Sequence, residues 1–315
     1  MTKEGANMIK NEFYFQSSDH EHHIHAIEWV PHHVKAVLQI AHGMIDHIER
    51  YDRLASYLCE RGIYVVGNDH LGHGLSIQNS SELGYVSSKR GYDYLVEDLH
   101  KLRKVIQKKY PDVPYFMMGH SMGSFLMRLY ITKHYQGLSG CILMGTGVVS
   151  SPLLSTGKKV CQSMALIKGW HYRSDQVEAL SFKNYNKHID HPLTPYDWLT
   201  NNKEEVNKYI NDPLTSYTFT LSGYYNLFSL IQHIQKHKQL KCIPKTLPLL
   251  LVSGAHDPVG QYGKGVTSLY MTYRQLGIKD VKMKLYHHGR HEIFNDLEHE
   301  ESDEDLYIWL CKHIS

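Results

Sequence analysis

A chain of 315 residues, 42% hydrophobic and 21% charged, is long enough to bury a large single core and has the balance of an ordinary globular protein. Its net charge is +2 with histidine neutral, and the absence of a basic run or stripe argues against a nucleic-acid partner. The polar start Met1-Thr2-Lys3-Glu4-Gly5 argues against a signal peptide, no apolar run approaches the roughly 18 residues of a membrane span, and five scattered cysteines with no Cys-x-x-Cys favour reduced thiols in a cytoplasmic setting.

In chain order, residues 11–16 and 23–30 alternate in polarity and predict two strands, a hairpin across Ser17-Ser18-Asp19. Ala36-Val37-Leu38-Gln39-Ile40-Ala41 predicts a short apolar strand ending at His42-Gly43. A helix follows over about residues 51–61, with Leu54, Tyr57 and Leu58 on one face, and Gly62 stops it. Ile63-Tyr64-Val65-Val66-Gly67 is the next strand. It ends in Asn68-Asp69-His70-Leu71-Gly72-His73-Gly74-Leu75-Ser76, which reads as a glycine-rich structural turn. A helix over about residues 91–109 stops before Pro111. Then Tyr115-Phe116-Met117-Met118 forms an apolar strand that runs into Gly119-His120-Ser121-Met122-Gly123 and a helical pattern of Phe125, Leu126, Leu129 and Tyr130. Gly140-Cys141-Ile142-Leu143-Met144 is a further strand. Strands alternating with helices imply parallel crossovers and a doubly wound α/β sheet.

The rhythm breaks after Gly147. Residues 148–238 hold no short apolar strand and are rich in aromatics: Trp170, Tyr172, Trp198, Tyr217, Phe219, Tyr224, Tyr225 and Phe228. This segment is expected to be a helical insertion, or cap, over the sheet's carboxyl edge, dividing a core of residues 1–147 from its second part at 239–315. Whether its aromatics form a core of their own or an acyl-binding wall stays open. Strands resume at residues 247–254 and 281–286, and a helix over about 303–312 closes the chain.

Strand, Gly-x-Ser-x-Gly and helix together are the context of a nucleophile elbow. Ligands of open α/β sheets bind at the carboxyl ends of the strands. Three loops there carry matching chemistry: Ser121, then Asp257 in Ser253-Gly254-Ala255-His256-Asp257-Pro258, then His291 in His287-His288-Gly289-Arg290-His291-Glu292. A serine hydroxyl is a poor nucleophile at neutral pH, an imidazole can take its proton and return it to the leaving group, and a carboxylate fixes the imidazole's tautomer. Developing oxyanion charge needs donors already in place, here the N–H of Met122 and that of Met44 after the His42-Gly43 strand. The Met44 side chain has the plainer alternative of lining the pocket. His287 and His288 sit earlier in the loop, where the strand ends. Asp280 precedes its strand and Asp296 falls in the helical stretch beyond His291, so neither suits the acid. Arg290 and Glu292 read as loop-ordering ion pairs. The 24 histidines carry no function by their number. His20-Glu21-His22-His23 and His25 alternate like a strand and show no ligand set, so neither a metal nor a cofactor is expected.

Together His42-Gly43-Met44-Ile45-Asp46-His47 with Arg50-Tyr51, the Asp69-to-Ser76 turn, the Ser121 elbow, Asp257 and His291-Glu292 resemble the monoglyceride lipase and lysophospholipase-like branch of the α/β-hydrolases, grouped with serine aminopeptidases. Thr194-Pro195-Tyr196-Asp197-Trp198-Leu199, with Tyr209 and Asp212-Pro213, is similar to bacterial lysophospholipase-like members. The resemblance implies an α/β-hydrolase fold with a cap that gates acyl chains, and metal-independent hydrolysis of esters of single-chain lipids. Ser124 stands where many members have glycine and Ile45 where a small residue is common, so the space beside the nucleophile is expected to be narrowed. Two other readings remain. An aminopeptidase would use Glu178, Asp197 or Glu204 to hold the substrate's α-amino end, and a receptor-like binding protein would retain only vestigial turnover. The cap is the surface that a transient membrane contact would use, although no strongly amphipathic basic helix marks one. Acyl length, head group and oligomeric state are not legible.

Overall fold

The computed structural model describes residues 8–89 and 91–314. Strands β1 (Ile9–Gln16), β2 (His23–Val30), β3 (Ala36–Ala41), β4 (Ile63–Asn68), β5 (Tyr115–His120), β6 (Gly140–Met144), β7 (Leu249–Gly254) and β8 (Val281–Tyr286) form one sheet in the order β1-β2-β4-β3-β5-β6-β7-β8. The β1–β2 and β2–β4 pairs are antiparallel and every later pair is parallel. The doubly wound sheet expected from the rhythm is present, with an antiparallel hairpin on one edge.

Helices α1 (Asp52–Cys59), α2 (Gly91–Lys109) and α3 (Met122–Lys133) connect the first strands. Between β6 and β7 come α4 (Ser151–Lys168), α5 (Asp175–Phe182), α6 (Lys203–Asn211), α7 (Leu221–Ile234) and α8 (His237–Leu240), and α9 (Lys264–Gln275) and α10 (His299–Lys312) follow. Successive strand residues point to opposite faces, and both faces are covered. Val37, Tyr115, Met117, Cys141 and Leu249 face Leu99, Leu126, Leu129 and Leu269 of α2, α3 and α9. Leu38, Ile40, Phe116, Met118 and Leu250 face Leu54, Leu58, Leu306 and Leu310 of α1 and α10. This double burial is why β5 and β6 are almost wholly apolar and why the one polar side chain of β3, Gln39, is buried with its hydrogen bonds made, donating to Leu99 O and accepting from Tyr115 Oη.

Two helix ends differ from expectation. The first helix starts later, because residues 48–51 form a 3-10 turn, and it stops before Gly62, which is left-handed at φ 90. The last helix starts four residues earlier than its apolar pattern, since Glu300 and Glu301 in its first turn favour the positive helix end. Ile45 after β3 and Met122 after β5 pack with Cys161, Val177, Trp198, Leu199, Tyr209 and Tyr224, so the segment between β6 and β7 lies over the carboxyl ends of those strands.

Candidate active site

Ser121 links β5 to α3 at φ 51 and ψ −118, a conformation that costs a non-glycine residue roughly 1–3 kcal/mol and that its surroundings must hold. Its N–H donates to Met144 O at 2.9 Å, and its carbonyl accepts from Ser124 N at 2.9 Å and Ser124 Oγ at 2.6 Å. Ser124 is thus turned to the backbone and does not narrow the space beside the hydroxyl; Ile45 does line that space. The flanking glycines are demanded by close approach: a Cβ on Gly119 would stand 2.3 Å from Gly123 O, and one on Gly123 2.0 Å from Ala41 O. His120 is buried, its Nδ1 3.0 Å from Tyr51 Oη.

Asp257 Oδ1 lies 3.0 Å from His291 Nδ1, with both side chains almost wholly buried. Asp257 also accepts from Val259 N–H at 2.8 Å and Ser253 Oγ at 3.0 Å. Burial alone would push its carboxyl up, but the charge and hydrogen bond of His291 and these two donors outweigh it and hold the group below its ordinary value. Gly145, at φ 58, leaves room for the imidazole: a Cβ there would stand 2.9 Å from His291 Cε1, a requirement no sequence motif announces. The rivals are engaged elsewhere. His287 and His288 are exposed and face each other, Asp280 pairs with His313 at 3.0 Å, and Asp296 accepts from the N–H groups of Arg290 at 2.9 Å and Asn201 at 3.0 Å.

Ser121 and His291 line one cavity of about 490 Å³ together with Gly43, Met44 and Met122. Ser121 Oγ makes no hydrogen bond among the described residues; contacts of this kind tighten when substrate is bound. The loop after β3 runs against the serine, so that a Cβ on Gly43 would stand 3.3 Å from Ser121 Cβ. Among the described residues no protein acceptor takes the Met44 or the Met122 N–H, and Met122 opens α3, where the unpaired N–H groups carry the helix's positive end.

A buried ionic network underlies this loop, and only part of it was legible in the sequence. Asp46 accepts from Gly43 N–H at 3.2 Å, Tyr51 Oη at 3.0 Å and Arg50 Nη1 at 3.0 Å. Arg50 also grips Glu292 with two bonds, at 2.9 and 2.7 Å. Burial pushes Asp46 up and Arg50 down, but the Arg50 charge beside Asp46, and the Glu292 and Asp46 charges beside Arg50, prevail and both remain ionised. Glu292 therefore pairs with Arg50. Arg290 instead donates to the carbonyls of Asp197 at 2.6 Å and Thr200 at 3.1 Å. The signal that could have found the Arg50–Glu292 pair was a charged residue beside each site loop, but nothing in the sequence says that the two meet.

The Asp69 turn is structural, as its glycines suggest. Asp69 accepts from the N–H groups of Ile48 and Leu75, each at 2.8 Å, and a Cβ on Gly74 would collide with its carboxylate. Burial pushes His70 down to about 3 and His73 to about 4, so both stay neutral. His22 pairs with Asp19, and His25 with Asp69 and Glu12; among the described residues no group of His, Cys, Asp and Glu side chains could hold a metal. The aromatics of the segment over the sheet divide. Tyr196, Trp198, Tyr209, Tyr224 and Phe228 line the cavity, and the Trp198 ring lies 5.1 Å from that of His291. Trp170 packs on Tyr225 and Phe219 on His73, away from it.

Residues 32–298 match the model of the serine aminopeptidase, S33, family. The chain is 27% identical over 285 residues to a monoglyceride lipase of Rattus norvegicus, covering 89% of this chain and 84% of that protein. It is 25% identical over 284 residues to a monoacylglycerol lipase of Mycolicibacterium smegmatis, covering 89% of each. A highly thermostable carboxyl esterase from Bacillus coagulans, solved in complex with glycerol, is similar at a TM-score of 0.90 and 32% identity, over 98% of this chain and 100% of that one. Elbow, sheet order and family match agree: the chain belongs to the serine aminopeptidase, S33, family of α/β-hydrolases, on the branch that includes these lipases and esterases.

Proposed function

We propose that the protein is a carboxylic ester hydrolase in which Ser121 is the nucleophile, His291 the general base and acid, and Asp257 the carboxylate that orients it. The observation that carries the reading is that His291, 3.0 Å from the buried Asp257, lines the same apolar cavity as a serine held in a left-handed turn. Ser121 Oγ attacks the ester carbonyl as His291 Nε2 takes its proton. The carbonyl oxygen gains negative charge between the N–H groups of Met44 and Met122. The tetrahedral species collapses to an acyl-enzyme as His291 returns the proton to the departing alcohol, and water then repeats the sequence to free the acid.

Residues 148–238 act as the cap in this reading, and the apolar wall from Phe125 through Val160, Trp198, Leu227 and Phe228 suits a single acyl chain. The substrate class is therefore single-chain lipid esters, monoacylglycerols and lysophospholipids among them. The exposed Leu166 and Ile167 at the end of α4 are the surface for transient membrane contact. Among the described residues no helix is long and apolar enough to cross a membrane.

The test is turnover of p-nitrophenyl esters of increasing chain length, free in solution and dispersed in lipid vesicles. Rates rising from acetyl to medium or long chains, and faster turnover on vesicles, are expected; a folded protein with no turnover at any length rejects the reading. Amino-acyl amides assayed alongside address the aminopeptidase alternative. Glu178 is the acidic side chain favouring it, because it lines the Ser121 cavity and accepts from Thr218 Oγ1 at 3.0 Å, while Asp197 is taken up by the 193–197 turn.

A further inference from the structure

We propose that Tyr209 and Asp212, at the end of α6, are positioning residues that hold the oxyanion loop in shape, so that seating the cap and assembling the oxyanion site are one event. The inference rests on the reading of Ser121 as nucleophile and Met44 as donor, and it goes beyond that reading by giving two cap residues a share in turnover.

The loop between β3 and α1 contains a β-branched residue in the left-handed region, Ile45 at φ 53. An isoleucine there is a genuine outlier and persists only where its surroundings over-determine it. Here the surroundings come largely from the cap. Tyr209 Oη donates to Ile45 O at 3.0 Å, and Asp212 Oδ2 lies 2.8 Å from His47 Nε2. The Tyr209 ring also lies over the Arg50 guanidinium, 4.9 Å from its carbon, and Arg50 in turn holds Asp46, whose carboxylate takes the Gly43 N–H. The loop is thus gripped on both sides of Met44: at Gly43 through Asp46, at the Ile45 carbonyl through Tyr209, and at His47 through Asp212. Tyr209 is itself fixed, its carbonyl accepting from Thr215 Oγ1 at 2.6 Å.

The dihedral at Ile45 sets the direction in which the chain leaves Met44. Released from its clamp, Ile45 relaxes toward the right-handed or extended regions, and the segment carrying the Met44 N–H turns away from the elbow. The substrate's chain binds elsewhere, along the apolar wall, so the loss falls on the charged transition state rather than on the ground state.

Tyr209→Phe keeps the ring and its contact with Arg50 and removes only the hydroxyl. Its kcat is expected to fall roughly 10- to 100-fold, less than the roughly 10²–10³ of losing a donor outright, with KM nearly unchanged. A long-chain trifluoromethyl ketone, whose adduct with Ser121 carries an oxyanion, should weaken by the same factor as kcat, and an unreactive ether of equal length should bind as before. Glycine takes the left-handed conformation without help, so Ile45→Gly combined with Tyr209→Phe should recover most of the lost kcat. An active wild type beside an unimpaired Tyr209→Phe overturns the clamp alone, as does a loss confined to KM or the ether, or a double variant no better than Tyr209→Phe. A wild-type protein that turns over no ester overturns the hydrolase reading and this role with it.

Discussion

Ser121 is held at φ 51 and ψ −118, and one substitution can read what that conformation costs. Glycine visits positive φ freely, so Ser121→Gly relieves the strain while giving back part of the gain through greater freedom in the unfolded chain. The expected net effect in urea denaturation is a stability gain of about 1 kcal/mol together with loss of ester turnover, the trade expected where a functional site stores strain. Equal or lower stability would mean that the turn carries no strain worth relieving. The residues proposed as nucleophile, acid and base were legible because each follows a predicted strand and lies within two residues of a glycine or proline. Ile45 and Gly145 were not: a left-handed isoleucine leaves no mark in the sequence, and the need for glycine beside His291 exists only once β6 and the β8 loop are side by side.

Among elements, the turn of the β1–β2 hairpin docks on α2 through the Asp98 carboxylate, beside Lys101, which donates to the carbonyls of Gln16 and Ser17. Ser17 Oγ and the Ser18 N–H both donate to Asp98, at 2.8 and 2.5 Å. Burial pushes the Asp98 carboxyl up to about 6 from 3.8, with the two serines pulling partly back. The folded chain therefore keeps this proton to higher pH than the unfolded chain does. The stability contributed by the group is full below about pH 4, declines as pH rises toward 6 and is gone above. An asparagine side chain stays neutral at every pH, so Asp98→Asn should gain on the wild type by about 1–3 kcal/mol between pH 4 and pH 8. Denaturation of both proteins at the two values checks this, and a difference that does not grow with pH contradicts it. The hairpin itself was visible as alternating polarity across Ser17-Ser18-Asp19. Its anchor was not, because Asp98 lies 81 residues from Ser17 and reads as one more polar position on a helix.

For the whole molecule, the alternation of apolar strands and amphipathic helices disclosed the doubly wound sheet, since strands covered on both faces must be apolar throughout. The segment from α4 to α8 resisted the same reading. Its aromatics alternate between lining a cavity, as Trp198 and Tyr224 do, and filling a core, as Phe219 does, and composition alone does not divide them. Nor does it announce that α6 reaches the loop after β3. In the proposed reading these layers converge on one nucleophile, Ser121. Fluorophosphonate labelling followed by peptide mapping tests this most directly. One adduct per chain on Ser121, with ester turnover lost in proportion and no adduct on Ser121→Ala, is the predicted result; ester turnover that survives complete labelling, or an adduct on another serine, contradicts it.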